Sequence, residues 1–115
     1  MRKVTRNLDL VNKRENTVFK WSVQAYLFTA KTSDNIDIPL YTYKESGKWE
    51  VNDDIGANAL LVPTRSVRRV DAIEKATRLM SEQTEGIVTR QVEAIKQRKL
   101  RLTEGEDKNG NNNTK

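Results

Sequence analysis

The chain has no cysteine and no histidine. It can therefore form no disulfide, supply no thiolate nucleophile and build no Cys/His zinc site. General acid–base chemistry near neutral pH would have to rely on a strongly perturbed Glu, Asp, Lys or Tyr in place of imidazole. Glycine is scarce as well, with 5 residues scattered along 115 and none of the spacing of a phosphate-cradling loop. The carboxylate groupings are Asp53 with Asp54 and Asp34 with Asp37, both in expected turns, where Asp serves local hydrogen bonding. No D/E-x-K strand signature accompanies them. These absences point away from catalysis, and no cofactor or metal is expected.

Long hydrophobic runs are also missing, and none approaches the ~20 apolar residues of a membrane span. Met1 leads directly into Arg2, Lys3 and Arg6 with no apolar stretch behind them, so no signal peptide is read. A cytoplasmic protein without a membrane partner is expected. Apolar residues make up 36% and charged residues 32% of the chain. That suits one domain with a single modest core.

The net charge of +5 is unevenly spread. Residues 1–64 hold 9 Lys/Arg against 8 Asp/Glu, residues 65–102 hold 10 against 5, and residues 103–115 hold 2 against 3. The excess positive charge thus lies in one segment, which suggests a module that meets an acidic partner.

In the first half, period-2 alternation predicts strands. Val4, Leu8 and Leu10 share one face of residues 2–11. Phe19, Trp21, Val23, Ala25 and Leu27 share one face of residues 17–31. Val18, Trp21, Ala25 and Phe28 also recur at helical spacing there, but the aromatic and β-branched content favours a strand. Ile36, Ile38, Leu40 and Thr42 alternate with Asp37, Pro39, Tyr41 and Tyr43. Pro39 puts this strand at an edge, or sits at the strand's entry. Glu45-Ser46-Gly47-Lys48 is a hairpin turn into Trp49-Glu50-Val51, where Trp49 can pair with Tyr41 or Tyr43. A short run, Ala59 to Val62, ends at Pro63.

Residues 65–102 read as one helix, capped by Thr64 or Ser66. Unbroken, it would be about 57 Å long, more than a small sheet can cover. Gly86 leaves three readings open: a kink, a break into a helical hairpin, or no interruption. Residues 103–115 contain no apolar side chain and read as a disordered tail. The expected fold is α+β: an antiparallel sheet of about four strands within 1–63, then the helix and the tail, with 1–102 as the domain.

Three groups of residues are functional candidates. Asp71 with Lys75 and Glu74 with Arg78 sit at i,i+4 and read as a solvated face. Arg65, Arg68 and Arg69 oppose the dipole at the helix start and lack such an explanation. Together with Arg2, Lys3 and Arg6 they are the expected phosphate contacts. Phe19 and Trp21 read as core, whereas Tyr26, Tyr41 and Tyr43 fall on the opposite face as candidates for stacking on bases. Val88, Val92, Ile95 and Leu102 on the distal helix need a partner, and a second copy is the economical one, giving an expected homodimer. The heptad evidence for that is thin, since Thr77, Thr84, Gln91 and Arg98 occupy the seam. The leading expectation is a non-enzymatic nucleic-acid-binding accessory protein, strand form open. The alternative is a small regulator or inhibitor that docks on an acidic protein surface through the long helix.

Overall fold

A computed structural model of the chain describes residues 1–12, 14–15, 17–58 and 64–113, the side chains at 10–12, 18 and 102–113 excepted. Four strands, β1 (Arg2–Asn12), β2 (Thr17–Lys31), β3 (Asp37–Glu45) and β4 (Lys48–Asp53), form one antiparallel sheet in the order β1-β2-β3-β4. Two helices follow, α1 (Arg69–Ser81) and α2 (Glu85–Asn113). The expected α+β architecture is the one adopted. Ala59 to Pro63 lie outside the described residues, and the expected tail falls where side chains are not described.

Local chemistry accounts for the strands and their turns. Thr17 to Lys31 extends as one strand of 15 residues, as its β-branched and aromatic content favours. Glu45 pairs with Lys48 around Ser46 and Gly47, whose φ angles of 50° and 78° are both positive. Two such residues make a type I′ turn, whose twist matches that of the strands it joins. β3 lies between β2 and β4, so Pro39 does not mark an edge. It sits at the entry of β3, beyond the Leu40↔Asp53 pair where β4 pairing ends, and its missing N–H costs no ladder bond to β4.

The sheet coils on itself. Asp54 N–H donates to Pro39 O at 3.0 Å, and Pro39 pairs with Thr29. Arg6 pairs with Val23, so along β2 the two positions lie roughly 20 Å apart. Yet the Arg6 guanidinium holds the Asp54 carboxylate with bonds of 2.7 and 3.0 Å. Only a strongly curled β1–β2 hairpin brings these groups together.

That curl gives the sheet two packed faces. On one, Ala30, Ile38, Leu40 and Val51 meet Ala72, Ala76 and Met80 of α1 and Val88 and Val92 of α2. On the other, Leu8, Ala25, Tyr41 and Tyr43 form a second core, with Trp21 packed against it. Phe19, expected in the core, is 53% exposed. Trp49 pairs with Lys44, not with Tyr41 or Tyr43, because the register puts it on the other face. Its ring lies 6.1 Å from that of Tyr26 instead.

The single long helix is corrected to two, and the break precedes Gly86. The N–H groups of Glu82 and Gln83 donate to Leu79 O and Met80 O and end α1. The Thr84 hydroxyl then accepts from Ile87 N–H at 3.3 Å, capping α2. Gly86 falls in the first turn of α2. Neither Thr64 nor Ser66 caps α1, whose N-cap is Arg68 with no side-chain cap bond. The Thr64 hydroxyl accepts from Val51 N–H at 3.0 Å, and Ser66 exchanges backbone bonds of 2.7 and 3.0 Å with Trp49. Both residues are drawn into the sheet edge, which delays the helix.

Candidate nucleic-acid interface

A groove of about 470 Å³ lies between the edge of β4 and α1. Lys48, Arg65, Lys75 and Arg78 line it with the carboxylates of Asp71 and Glu74, beside Ser66 and Val67. Its walls are fixed from the backbone upward. The bonds of Thr64 and Ser66 to β4 hold Arg65 at the sheet edge. On α1, Asp71, Lys75 and Arg78 fall at i, i+4 and i+7 and share one stripe.

Cations outnumber anions in the groove, and the partners leave some of the cations available. Arg65 approaches Glu50 at 3.6 Å, and Lys75 Nζ donates to the backbone oxygen of Arg65 at 3.4 Å. Among the described residues, Lys48 and Arg78 make no ion pair. Lys48, Lys75 and Arg78 do not stand out in the sequence, because the i,i+4 rule assigns the two α1 cations to Asp71 and Glu74. Asp71 is instead held by Arg68 through bonds of 2.9 and 3.1 Å. That fork raises the pKa of Arg68 and lowers that of Asp71.

The sequence candidates scatter. The helix-start arginines are not uncompensated as expected: Arg65 has Glu50, Arg68 has Asp71, and Arg69 stacks 4.5 Å from the Tyr26 ring centroid and 5.6 Å from that of Trp49. Lys3 pairs with Tyr26 and so comes to the same corner as Arg69. Arg2 is exposed opposite Leu27, and Arg6 is committed to Asp54 and lies 6.0 Å from the Tyr41 ring.

Tyr41 and Tyr43 do not form a stacking surface. They are 0% and 5% exposed, since the curled hairpin covers the face that alternation alone assigns to solvent. The Tyr41 hydroxyl donates to Asn58 Oδ1 at 3.2 Å and accepts from Asn52 Nδ2 at 3.3 Å. Burial pushes its pKa up to about 12 and pushes that of Tyr43 up as well. Tyr26 is half-buried beneath Arg69.

Nor do Val88, Val92 and Ile95 await a partner. Val88 and Val92 are buried within the chain, and Ile95 packs against the same core. The break before Glu85 lets α2 return its apolar seam to the sheet, which one straight helix could not do. Leu102 lies outside the described side chains.

The carboxylates hold structure. Asp53 Oδ2 accepts from the N–H groups of Ile55, Gly56 and Ala57, Asp54 holds Arg6, and Asp37 pairs with Lys31 at 3.0 Å. Asp34 accepts from Glu85 N–H. Among the described residues no group of three His, Cys, Asp or Glu is placed to hold a metal ion, and no helix is long and apolar enough to cross a membrane. No family model, curated protein or solved structure matches the chain.

Proposed function

We propose that this is a non-enzymatic, intracellular nucleic-acid-binding accessory protein. The observation that carries this is the convergence of Lys48, Arg65, Lys75 and Arg78 on one open groove against two carboxylates. Its phosphate contacts are revised accordingly, from the helix-start arginines as a set to Arg65 with Lys48, Lys75 and Arg78. An open, cation-rich cleft suits a polyanion better than a compact apolar ligand. Binding needs no second copy, because Val88 and Val92, the residues expected to join two chains, are used inside one. Val88 and Val92, central to the helix face of the protein-docking alternative, are covered in the same way, which favours the nucleic-acid reading.

Fluorescence anisotropy with labelled DNA and RNA across a salt series tests the proposal. Sub-micromolar binding at low salt is expected, weakening steeply as salt rises. Replacing Lys48, Lys75 and Arg78 by Gln should flatten the log–log salt dependence by roughly 2.7, at about 0.9 for each phosphate no longer neutralised. Binding no tighter than millimolar at low salt would dispose of the proposal.

A further inference from the structure

Among the described residues, α2 carries four cations that make no ion pair, Arg90, Lys96, Arg98 and Arg101. Val88, Val92, Ile95 and Lys99 form its inward seam: the two valines are buried, and Lys99 Nζ reaches Asp9 and Ala57 O at 3.1 and 2.8 Å. At about 100° per residue, Arg90 and Arg101 point directly away from that seam, within roughly 20° of each other. Ala94 and Gln97 lie between them on the same face, with Gln91 and Arg98 on its flank, and all six are exposed. Among the described residues, none of the three arginines makes an ion pair, and Arg90 donates only to Gly86 O at 3.4 Å. Glu93 borders this face and accepts from the Gln97 amide at 2.9 Å.

We infer that this face of α2 seats in the major groove of B-form DNA, which rests on the nucleic-acid reading above and adds the strand form and the element that recognises it. Arg90 and Arg101 stand about 16 Å apart along the helix. The major groove is about 12 Å wide and admits one α-helix, so a helix crossing it meets a phosphate wall near each end. Arginine forks suit those phosphates. Between them, Gln91 and Gln97 carry amides that can read adenine edges, and Ala94 carries a methyl group suited to thymine. A-form RNA has a major groove too deep and narrow for a helix. Single strands find less to stack on, because Tyr41 and Tyr43 are buried and Phe19 is the large aromatic left exposed.

The experiment compares the full chain with an Arg90→Gln/Arg98→Gln/Arg101→Gln variant on a DNA duplex, an RNA duplex of the same sequence and a DNA single strand. Glutamine keeps helix propensity, and circular dichroism verifies the fold of the variant. The wild-type chain should prefer the DNA duplex by at least about tenfold, and the variant should lose that preference. Its salt exponent on duplex DNA should fall by at least about 1.8, at about 0.9 for each of the phosphates met by Arg90 and Arg101. Netropsin, which fills the minor groove, should not compete. Unchanged duplex binding by the variant, equal affinity for the RNA duplex, or displacement by netropsin would overturn the inference while leaving nucleic-acid binding intact. A wild-type chain that binds none of the three ligands would remove both.

Discussion

The Asp34 carboxylate accepts a 2.9 Å hydrogen bond from Glu85 N–H, tying the β2–β3 turn to the first turn of a helix 51 residues further along the chain. Ser33 N–H reinforces the junction by donating to Gln83 O at 2.8 Å. A helix start leaves N–H groups unsatisfied, and α2 meets the need with Thr84 from its own segment and Asp34 from across the fold. The Thr32 hydroxyl bond, followed by the Glu85 N–H, holds the Asp34 carboxyl below its ordinary pKa.

Asp34→Asn keeps an acceptor but removes the charge, and it should lower Tm at neutral pH by a few degrees. A carboxyl depressed in the folded state stabilises above its unfolded pKa, about 3.9, and ceases to do so as pH falls through the folded value. The gap between wild type and variant should therefore be constant well above the unfolded pKa and close as pH falls through the depressed folded value. Thermal melts across that range check this, and a gap independent of pH would show that the charge contributes nothing.

Tyr41 and Tyr43 make the opposite prediction at alkaline pH. Their burial favours the neutral phenol, so the stability they contribute is fully present below about pH 10 and lost as pH rises through the raised folded values, about 12 for Tyr41. Phenolate absorbance from these two residues should appear together with loss of far-ultraviolet circular dichroism. Its appearance on a still-folded chain would contradict their placement. Tyr41→Ala should cost about 3–5 kcal/mol, as for other large aromatic truncations in a core. Tyr41→Phe, which removes only the hydroxyl bonds to Asn58 and Asn52, should cost about 1 kcal/mol.

These tyrosines also mark where the sequence stops being legible. The Ser46-Gly47 hairpin and the alternation of β1 are local, and period and turn chemistry reveal them. Alternation also separates Tyr41 and Tyr43 from Leu40 and Thr42 correctly. It cannot say that both faces are covered, because the cover depends on a curl recorded in the meeting of Arg6 and Asp54, 48 residues apart. Thr84 is a capping residue visible in the sequence, yet it competes with Gly86 as the site of the break until Asp34 is seen beside it. At the site, nearest-neighbour pairing joins Asp71 to Lys75. The planar fork of Arg68, three residues the other way, takes that carboxylate through two bonds. Which cations stay unpaired is therefore decided only in three dimensions.

Arg69 offers a separate check on the sheet end. Its guanidinium lies over Tyr26 and within 5.6 Å of the Trp49 centroid, joining the start of α1 to β2 and β4. Arg69→Ala should destabilise the fold by about 0.5–2 kcal/mol. Arg69→Lys should restore only part of that, since an ammonium lacks the plane that stacks on a ring. Urea unfolding followed by tryptophan fluorescence measures both, and a lysine variant as stable as wild type would argue that charge alone acts there.

Val88 distinguishes a core position from a docking position. It is 0% exposed and packs with Ala76 and Met80 of α1 in the helix-side core. Val88→Ala removes two methyl groups and should cost about 2 kcal/mol without changing oligomeric state. Val88→Asp would bury an unpaired carboxylate and should prevent folding. Had Val88 joined two chains or met another protein, the aspartate variant would stay folded and lose only its partner. Circular dichroism with light scattering separates these outcomes: loss of ordered structure supports the intramolecular core, and a folded Val88→Asp chain of lower mass would return the residue to an interface.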